Sequence, residues 1–276
     1  MEKVTDWVRL WQELVEAQPP RVWGKGKAGK KRTEAPKGAA SIERRWVKPD
    51  SGWNFILSQL DANPDATVLD IGAGTGAWAV LLAQHARQVT AVEVLPVMIE
   101  ALEENLAAEG ITNVEIVRGA WPDVPVAPHD FTLCSHGIYG SPDLPAFIRR
   151  MVEVTRRTCF LVMRVPTADG VMAEAATHIW GQPYDSPNFQ VAYNVLLQMG
   201  IYPNVLMEGT GIWRPWTNAS LEEALDKVKR RFGLGESHAH DPFLMDLLRR
   251  RLNYEEGQYV WPAGARSALV YWDVAQ

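Results

Sequence analysis

The sequence predicts a doubly wound α/β fold, and three observations carry that expectation. From residue 67 onward, short apolar runs alternate with helical stretches. Strands with continuous apolar runs, separated by helices, form parallel sheets covered on both faces. A glycine-rich turn, Gly72-Ala73-Gly74-Thr75-Gly76, lies between the first such run and a helix. Finally, 47% of the 276 residues are hydrophobic and 22% charged, enough to bury a sizeable core without metals or disulfides.

The elements follow in order. Val4, Trp7, Val8, Trp11, Leu14 and Val15 mark one face of a helix over residues 4–17, stopped by Pro19-Pro20. Residues 21–48 differ in character, with ten Lys or Arg against two Glu and five Gly or Pro between Gly24 and Gly38. This segment reads as a loop, either a solvated linker or a lid or clamp for an anionic partner. A helix over 53–60 precedes the turn Asn63-Pro64-Asp65. Strands are then expected at 67–71, 88–92, 114–117, 131–135 and 159–165, with helices at 76–85, 96–110 and 144–154. After Pro166 the alternation loosens. A helix at 188–199, a strand at 202–208, helices at 221–232 and 242–252, and a last strand at 267–274 complete the chain. Residues 1–50 thus read as a helix with a basic loop that caps a domain of residues 51–276, and 210–265 as a helical insertion in it.

The formal net charge of −5 argues against wholesale wrapping of nucleic acid. Cys134 and Cys159 each lie in an apolar run and read as small buried hydrophobes of a reducing compartment. No apolar stretch reaches the ~18 residues of a membrane span, and the start lacks the form of a signal peptide. A cytoplasmic protein is therefore expected. Twelve tryptophans are many for this length, and several, including Trp213, Trp216 and Trp261, lie outside the predicted sheet. They suit packing, a pocket lining or a homodimer interface.

In doubly wound sheets, ligands sit at the carboxyl ends of the strands. The strand Val68-Leu69-Asp70-Ile71 runs straight into the glycine turn, where the backbone bends tightly and a ligand can approach it closely. Seventeen residues beyond Gly76, Glu93 ends the next strand, placed to accept hydrogen bonds from a ribose diol. Gly72, Gly74 and Ala77 also fit a dinucleotide fingerprint, so the turn by itself leaves a nicotinamide or flavin enzyme open. Asp70 weighs the other way: a carboxylate before the first glycine repels a pyrophosphate and suits a cationic amino group.

On the run from Val68 to Gly76 together with Glu93, the chain resembles the class I S-adenosylmethionine-dependent methyltransferases over roughly residues 51–170. That resemblance implies a Rossmann-like seven-stranded sheet with the last strand antiparallel. It implies S-adenosylmethionine as cofactor and S-adenosylhomocysteine as product. By the same likeness Asp70, Gly72, Ala73, Gly74, Thr75 and Gly76 flank the methionine and ribose, Glu93 holds the ribose, and Val94 lies beside the adenine. Many relatives carry an acid after the third strand, near the adenine amino group. Here Ala120 stands there, followed by Trp121 and Asp123; Trp121 is expected to wall the adenine and Asp123 to reach back.

The fourth strand ends Ser135-His136-Gly137-Ile138-Tyr139, and its carboxyl end should lie beside the transferable methyl. Ser135 is placed with the cofactor, and His136 and Tyr139 are the candidates for a base or an acceptor hydrogen bond. The structural alternatives are that His136 caps the loop and Tyr139 walls the pocket. His238-Ala239-His240-Asp241 is a fragment of a metal-site pattern without further ligands nearby, so no metal is expected. His178 is a candidate pocket wall, and Arg44, Arg45 and Arg214 could meet a carboxylate or phosphate. No Asn-Pro-Pro-Tyr or Pro-Cys motif follows the fourth strand, which argues against methylation of DNA bases. The expected activity is methyl transfer to a small-molecule acceptor. The alternatives are an RNA methyltransferase whose basic 21–48 segment grips phosphate, and a non-catalytic module that binds a cofactor or a partner.

Overall fold

A computed structural model of the chain describes residues 5–18, 51–167, 170–208, 215–262 and 265–274. Its centre is a seven-stranded sheet of order β3-β2-β1-β4-β5-β10-β6. The strands are β1 Thr67–Ile71, β2 Gln88–Glu93, β3 Val114–Arg118, β4 His129–Ser135, β5 Thr155–Pro166, β6 Asn204–Met207 and β10 Ala265–Asp273. β1 to β5 run parallel. β10 enters antiparallel between β5 and β6, with Ala265 opposite Pro166 and Asp273 opposite Thr158. The doubly wound sheet and its antiparallel last strand are as the sequence and the resemblance led one to expect.

The order reverses after β1, so β1 and β4 part at their carboxyl ends and leave the crevice where such sheets bind ligands. Apolar side chains alternate across the strands and divide the core in two. On one face Leu69, Ile71, Cys134, Leu161 and Met163 pack with helices α1 (Trp7–Glu16), α5 (Leu144–Glu153) and α7 (Phe189–Gln198). On the other face Val68, Ala91, Leu133, Phe160 and Val162 pack with α2 (Ser51–Asp61), α3 (Ala77–Ala83) and α4 (Pro96–Ala108). Asp6, Asp143 and Asn188 close the amino ends of α1, α5 and α7 by accepting backbone N–H groups.

Past β5 the chain departs from the sequence reading in two places. Residues Val171–Trp180 form a further helix, α6. Its run Val-Met-Ala-Glu-Ala-Ala is apolar on most sides, so it shows little helical periodicity. The segment between β6 and β10 holds the two expected helices, α8 (Leu221–Arg231) and α9 (Asp241–Arg251), but also a three-stranded antiparallel sheet. Its strands β7 (Thr217–Asn218), β8 (Asn253–Glu255) and β9 (Gln258–Val260) are too short to show alternation in a sequence. α6, α8 and α9 share a satellite core around Ala175, Val228, Leu244, Leu248 and Trp261. The basic segment 21–48, with Arg44 and Arg45, lies outside the described residues, as do Trp213 and Arg214.

Candidate active site

Four strand ends converge on one edge of the sheet. At the end of β1, the N–H groups of Gly72 and Ala73 donate to the Val92 carbonyl at 2.9 and 3.0 Å, so the glycine turn crosses the end of β2. Gly72 takes φ +73°, and a Cβ there would stand 3.2 Å from the Gly137 Cα. Gly76 takes φ +90°, and a Cβ would meet Leu102 Cδ1 at 2.3 Å. At both positions side chains are excluded by conformation and by space. Asn105, buried in α4, donates from Nδ2 to the Thr75 carbonyl at 2.8 Å and pins the far side of the turn.

Glu93 is 7% exposed, and backbone amides hold its carboxylate. Oε2 accepts from the Gly74 N–H at 2.9 Å, and Oε1 from the N–H groups of Val94 and Leu95 at 2.8 and 2.9 Å. Such donors replace the water that a buried carboxylate gives up. Here they also fix its orientation against the glycine turn. Val94 beside it is 55% exposed, an apolar surface at the edge of the crevice. Asp70 is buried in β1, opposite Ala91 of β2 and Leu133 of β4.

The turn after β3 is tied to the same place, since the Gly119 N–H donates to the Glu93 carbonyl at 3.0 Å. Ala120 is exposed. Trp121 is anchored from behind: its indole N–H donates to the Phe147 carbonyl at 3.3 Å, and its ring meets Phe147 edge-on. Asp123 is exposed.

At the end of β4, Ser135 pairs with Val162, and the His136 N–H donates to the Val162 carbonyl at 3.0 Å. His136 takes φ +56°, an uncommon left-handed conformation for a side-chain-bearing residue. The turn brings its Nδ1 to 3.0 Å from the Tyr139 hydroxyl. That hydroxyl also accepts the Arg164 N–H of β5 at 2.6 Å. The two candidate catalytic side chains are therefore in contact with each other and braced on the next strand. Strained residues of this kind cluster at functional sites.

Other candidates sit elsewhere. His178 of α6 stacks on Phe243 of α9 with centroids 3.7 Å apart and meets His240 edge-on, which makes it part of the helix packing. His238 Nδ1 lies 2.6 Å from Asp241 at the start of α9. Burial pushes both cysteine thiols up to about 12, so neither is a thiolate near neutral pH. Sequence reasoning passed over Gly137, whose missing side chain lets the β4 turn touch the β1 turn, and Arg164. A glycine after a strand end is a faint signal, and nothing in the sequence distinguishes Arg164 from a solvated arginine.

A methyltransferase domain model matches residues 68–158. The chain is 35% identical over 75 residues to a probable ribosomal RNA small subunit methyltransferase A of Methanosphaera stadtmanae, covering 27% of this chain and 28% of that protein. It is 35% identical over 114 residues to protein-L-isoaspartate O-methyltransferase 1 of Rhodopseudomonas palustris, covering 40% and 43%. The chain thus spans less than half the length of these curated relatives. A longer match, 27% identical over 240 residues and covering 82% and 83%, is to a Haemophilus influenzae protein that carries no functional name. Among solved structures, the YcgJ protein of Bacillus subtilis shares the fold with a TM-score of 0.54 at 15% identity, covering 82% of this chain and 98% of that one. A Bacillus halodurans protein does so with a TM-score of 0.55 at 15% identity, covering 80% and 98%. The match begins within β1 and ends within β5, so the strands that build the crevice are the part of the chain that is similar to a methyltransferase domain.

Proposed function

We propose that this protein transfers the methyl group of S-adenosylmethionine to a small-molecule acceptor at the carboxyl edge of its sheet. The observation that carries the reading is the Glu93 carboxylate, buried yet oriented by three backbone amides against the glycine turn. A carboxylate held in that way is preorganised to accept two hydroxyl donors without moving. The crevice suits the rest of the cofactor equally well. Asp70 offers a carboxyl group to the methionine ammonium, the turn 72–76 gives close backbone approach, and exposed Val94 offers an apolar face to the adenine. Ala120 brings no acceptor to the adenine amino group, and Trp121, fixed from behind by Phe147, walls the ring.

The bound cofactor supplies a methyl carbon already activated by a sulfonium. The protein is left to align the acceptor, exclude water and take a proton if the acceptor has one. His136 is the residue for that proton. Its Nδ1 is set by Tyr139, and its other ring nitrogen serves the acceptor. Ser135 lines the cofactor side of the same turn. The segments outside the central sheet then act as a cover. The Trp11 indole of α1 donates to the Ser141 carbonyl at 2.8 Å, just past the catalytic turn. Gln18, after α1, is tied to Arg231 of α8 at 2.9 Å. In this reading α1 and the segment 215–262 border the acceptor pocket; no helix among the described residues is long and apolar enough to cross a membrane.

Calorimetric titration with S-adenosylhomocysteine, NADH and NADPH in parallel tests the proposal. Only S-adenosylhomocysteine is expected to bind, and Glu93→Ala should weaken it by about 10–100-fold, the range for losing charged hydrogen bonds. Binding of a nicotinamide instead, or indifference to Glu93→Ala, would refute the assignment. Relatives named for RNA supply a second reading. Salt-sensitive binding to tRNA would favour it over a small acceptor.

A further inference from the structure

Arg164 stands at the carboxyl end of β5, and its backbone N–H is the donor that braces the Tyr139 hydroxyl. Its side chain therefore originates one hydrogen bond away from the candidate catalytic pair. Among the described residues, the guanidinium is tethered at one nitrogen. Nη2 donates to the Ser186 hydroxyl and lies 3.7 Å from Asp185 Oδ1, too far for a hydrogen bond.

Asp185 does not need Arg164 for its hydrogen bonds. It is 2% exposed, and Arg231 already forks onto its Oδ2 from Nε and Nη2 at 2.9 and 2.7 Å. Burial alone would raise its pKa, but Arg164 and Arg231 hold it below the usual carboxylate value, so it remains an anion near neutral pH. Arg164 thus brings to Asp185 a second guanidinium that the carboxylate's hydrogen bonds do not use. Among the described residues, Nε and Nη1 of Arg164 have no hydrogen-bond partner, and because Ser186 takes one Nη2 hydrogen, one planar edge of the guanidinium (Nη2 with either Nε or Nη1) keeps a free N–H on both nitrogens; the side chain is 27% exposed. A guanidinium with a fixed stem and an open two-donor edge is built for a planar pair of oxygens.

Resting on the methyltransferase reading, we infer that the methyl acceptor carries an oxyanion, a carboxylate or a phosphate, which docks on the open edge of Arg164. Asp185 and Ser186 act as positioning residues: they hold Nη2 and so aim the remaining edge. Docking there places the body of the acceptor over Tyr139 and His136, which fixes which of its atoms meets the methyl group. It also explains why an arginine occupies a strand end beside the crevice.

The test uses the full chain saturated with S-adenosylhomocysteine and small probes that need no shaped pocket. Sodium acetate, inorganic phosphate and acetamide are titrated while the Arg164 Nε–H resonance is followed by NMR. Acetate or phosphate should shift that resonance saturably and acetamide should not; the anion that saturates at the lower concentration identifies the class. Arg164→Gln should weaken anion binding by about tenfold or more, the loss expected for a bidentate charged contact, with little change in S-adenosylhomocysteine affinity. Arg164→Lys, which keeps the charge and loses the fork, should fall between and guards against a folding defect in Arg164→Gln. A resonance that ignores both anions, or that responds equally to acetamide, overturns the inference and leaves the cofactor assignment standing. Failure to bind S-adenosylhomocysteine at all removes the methyltransferase reading itself.

Discussion

The most constrained residues of the site are two glycines in contact across the crevice. A Cβ on Gly137 would stand 3.0 Å from the Ile71 carbonyl oxygen and 3.1 Å from Cys134 Sγ. Backbone and a buried strand residue yield little, so Gly137→Ala must push the β4 turn away from the β1 turn. The expected cost is about 1–3 kcal/mol of stability, as for other overpacked sites. S-adenosylhomocysteine affinity should fall with it, because the turn it displaces is the one proposed to hold the cofactor. Gly140→Ala, only three residues on, meets nothing within 4 Å and should be silent in both thermal unfolding and calorimetry. Equal effects of the two substitutions would show that the close approach is unimportant.

At the scale of elements, α1 is joined to the domain by one side chain above all. Trp11 is fully buried and its indole N–H reaches the Ser141 carbonyl. Trp11→Ala should cost about 3–5 kcal/mol, the usual figure for deleting a large buried aromatic. Trp11→Phe keeps most of the packing but leaves the Ser141 carbonyl without that donor, at about 1–3 kcal/mol. The two variants, compared by urea unfolding, separate the anchor's packing from its hydrogen bond. If α1 covers the acceptor pocket as proposed, Trp11→Phe also raises the apparent KM for the acceptor more than it weakens S-adenosylhomocysteine.

For the molecule as a whole, two buried groups give stability a pH dependence in separate windows. Burial, with Arg156 assisting, holds His129 below the ordinary histidine value. The unfolded chain takes up that proton near pH ~6.5, so the contribution of His129 is complete above this pH and lost as pH falls toward its folded value. Asp185 is also depressed, and its contribution is complete above pH ~4 and lost at lower pH, as the value in the folded protein is approached. The unfolding free energy from urea titration should therefore be flat from pH 8 to 7, decline at first below pH ~6.5 by no more than ~1.4 kcal/mol per unit, and decline again below pH ~4, with the urea midpoint following it. His129→Gln should flatten the first decline and leave the second. A midpoint that rises as pH falls from 7 to 5 would contradict this account.

The sequence by itself determined the sheet, the glycine turn and the acid that follows it. These depend on local causes: apolar runs of strand length, helical spacing between them, and glycines where a strand must turn at once into a helix. Expected and observed limits of β1 and β2 differ by at most one residue at an end for that reason. Helix α6 escaped because a helix apolar on nearly all sides has no face to betray it, and β7, β8 and β9 because two or three residues cannot alternate. Within the site, His136 and Tyr139 were legible as strand-end residues, but their contact and the bracing amide of Arg164 belong to the crossing of β4 and β5. Only the tertiary structure decided that Gly137 faces Gly72 and that Arg164 and Arg231 share one buried carboxylate. Hydrophobic periodicity records which face of an element is buried. It carries no trace of which distant polar group awaits it there, because a hydrogen bond or an ion pair is a relation between two elements and leaves its mark in neither alone.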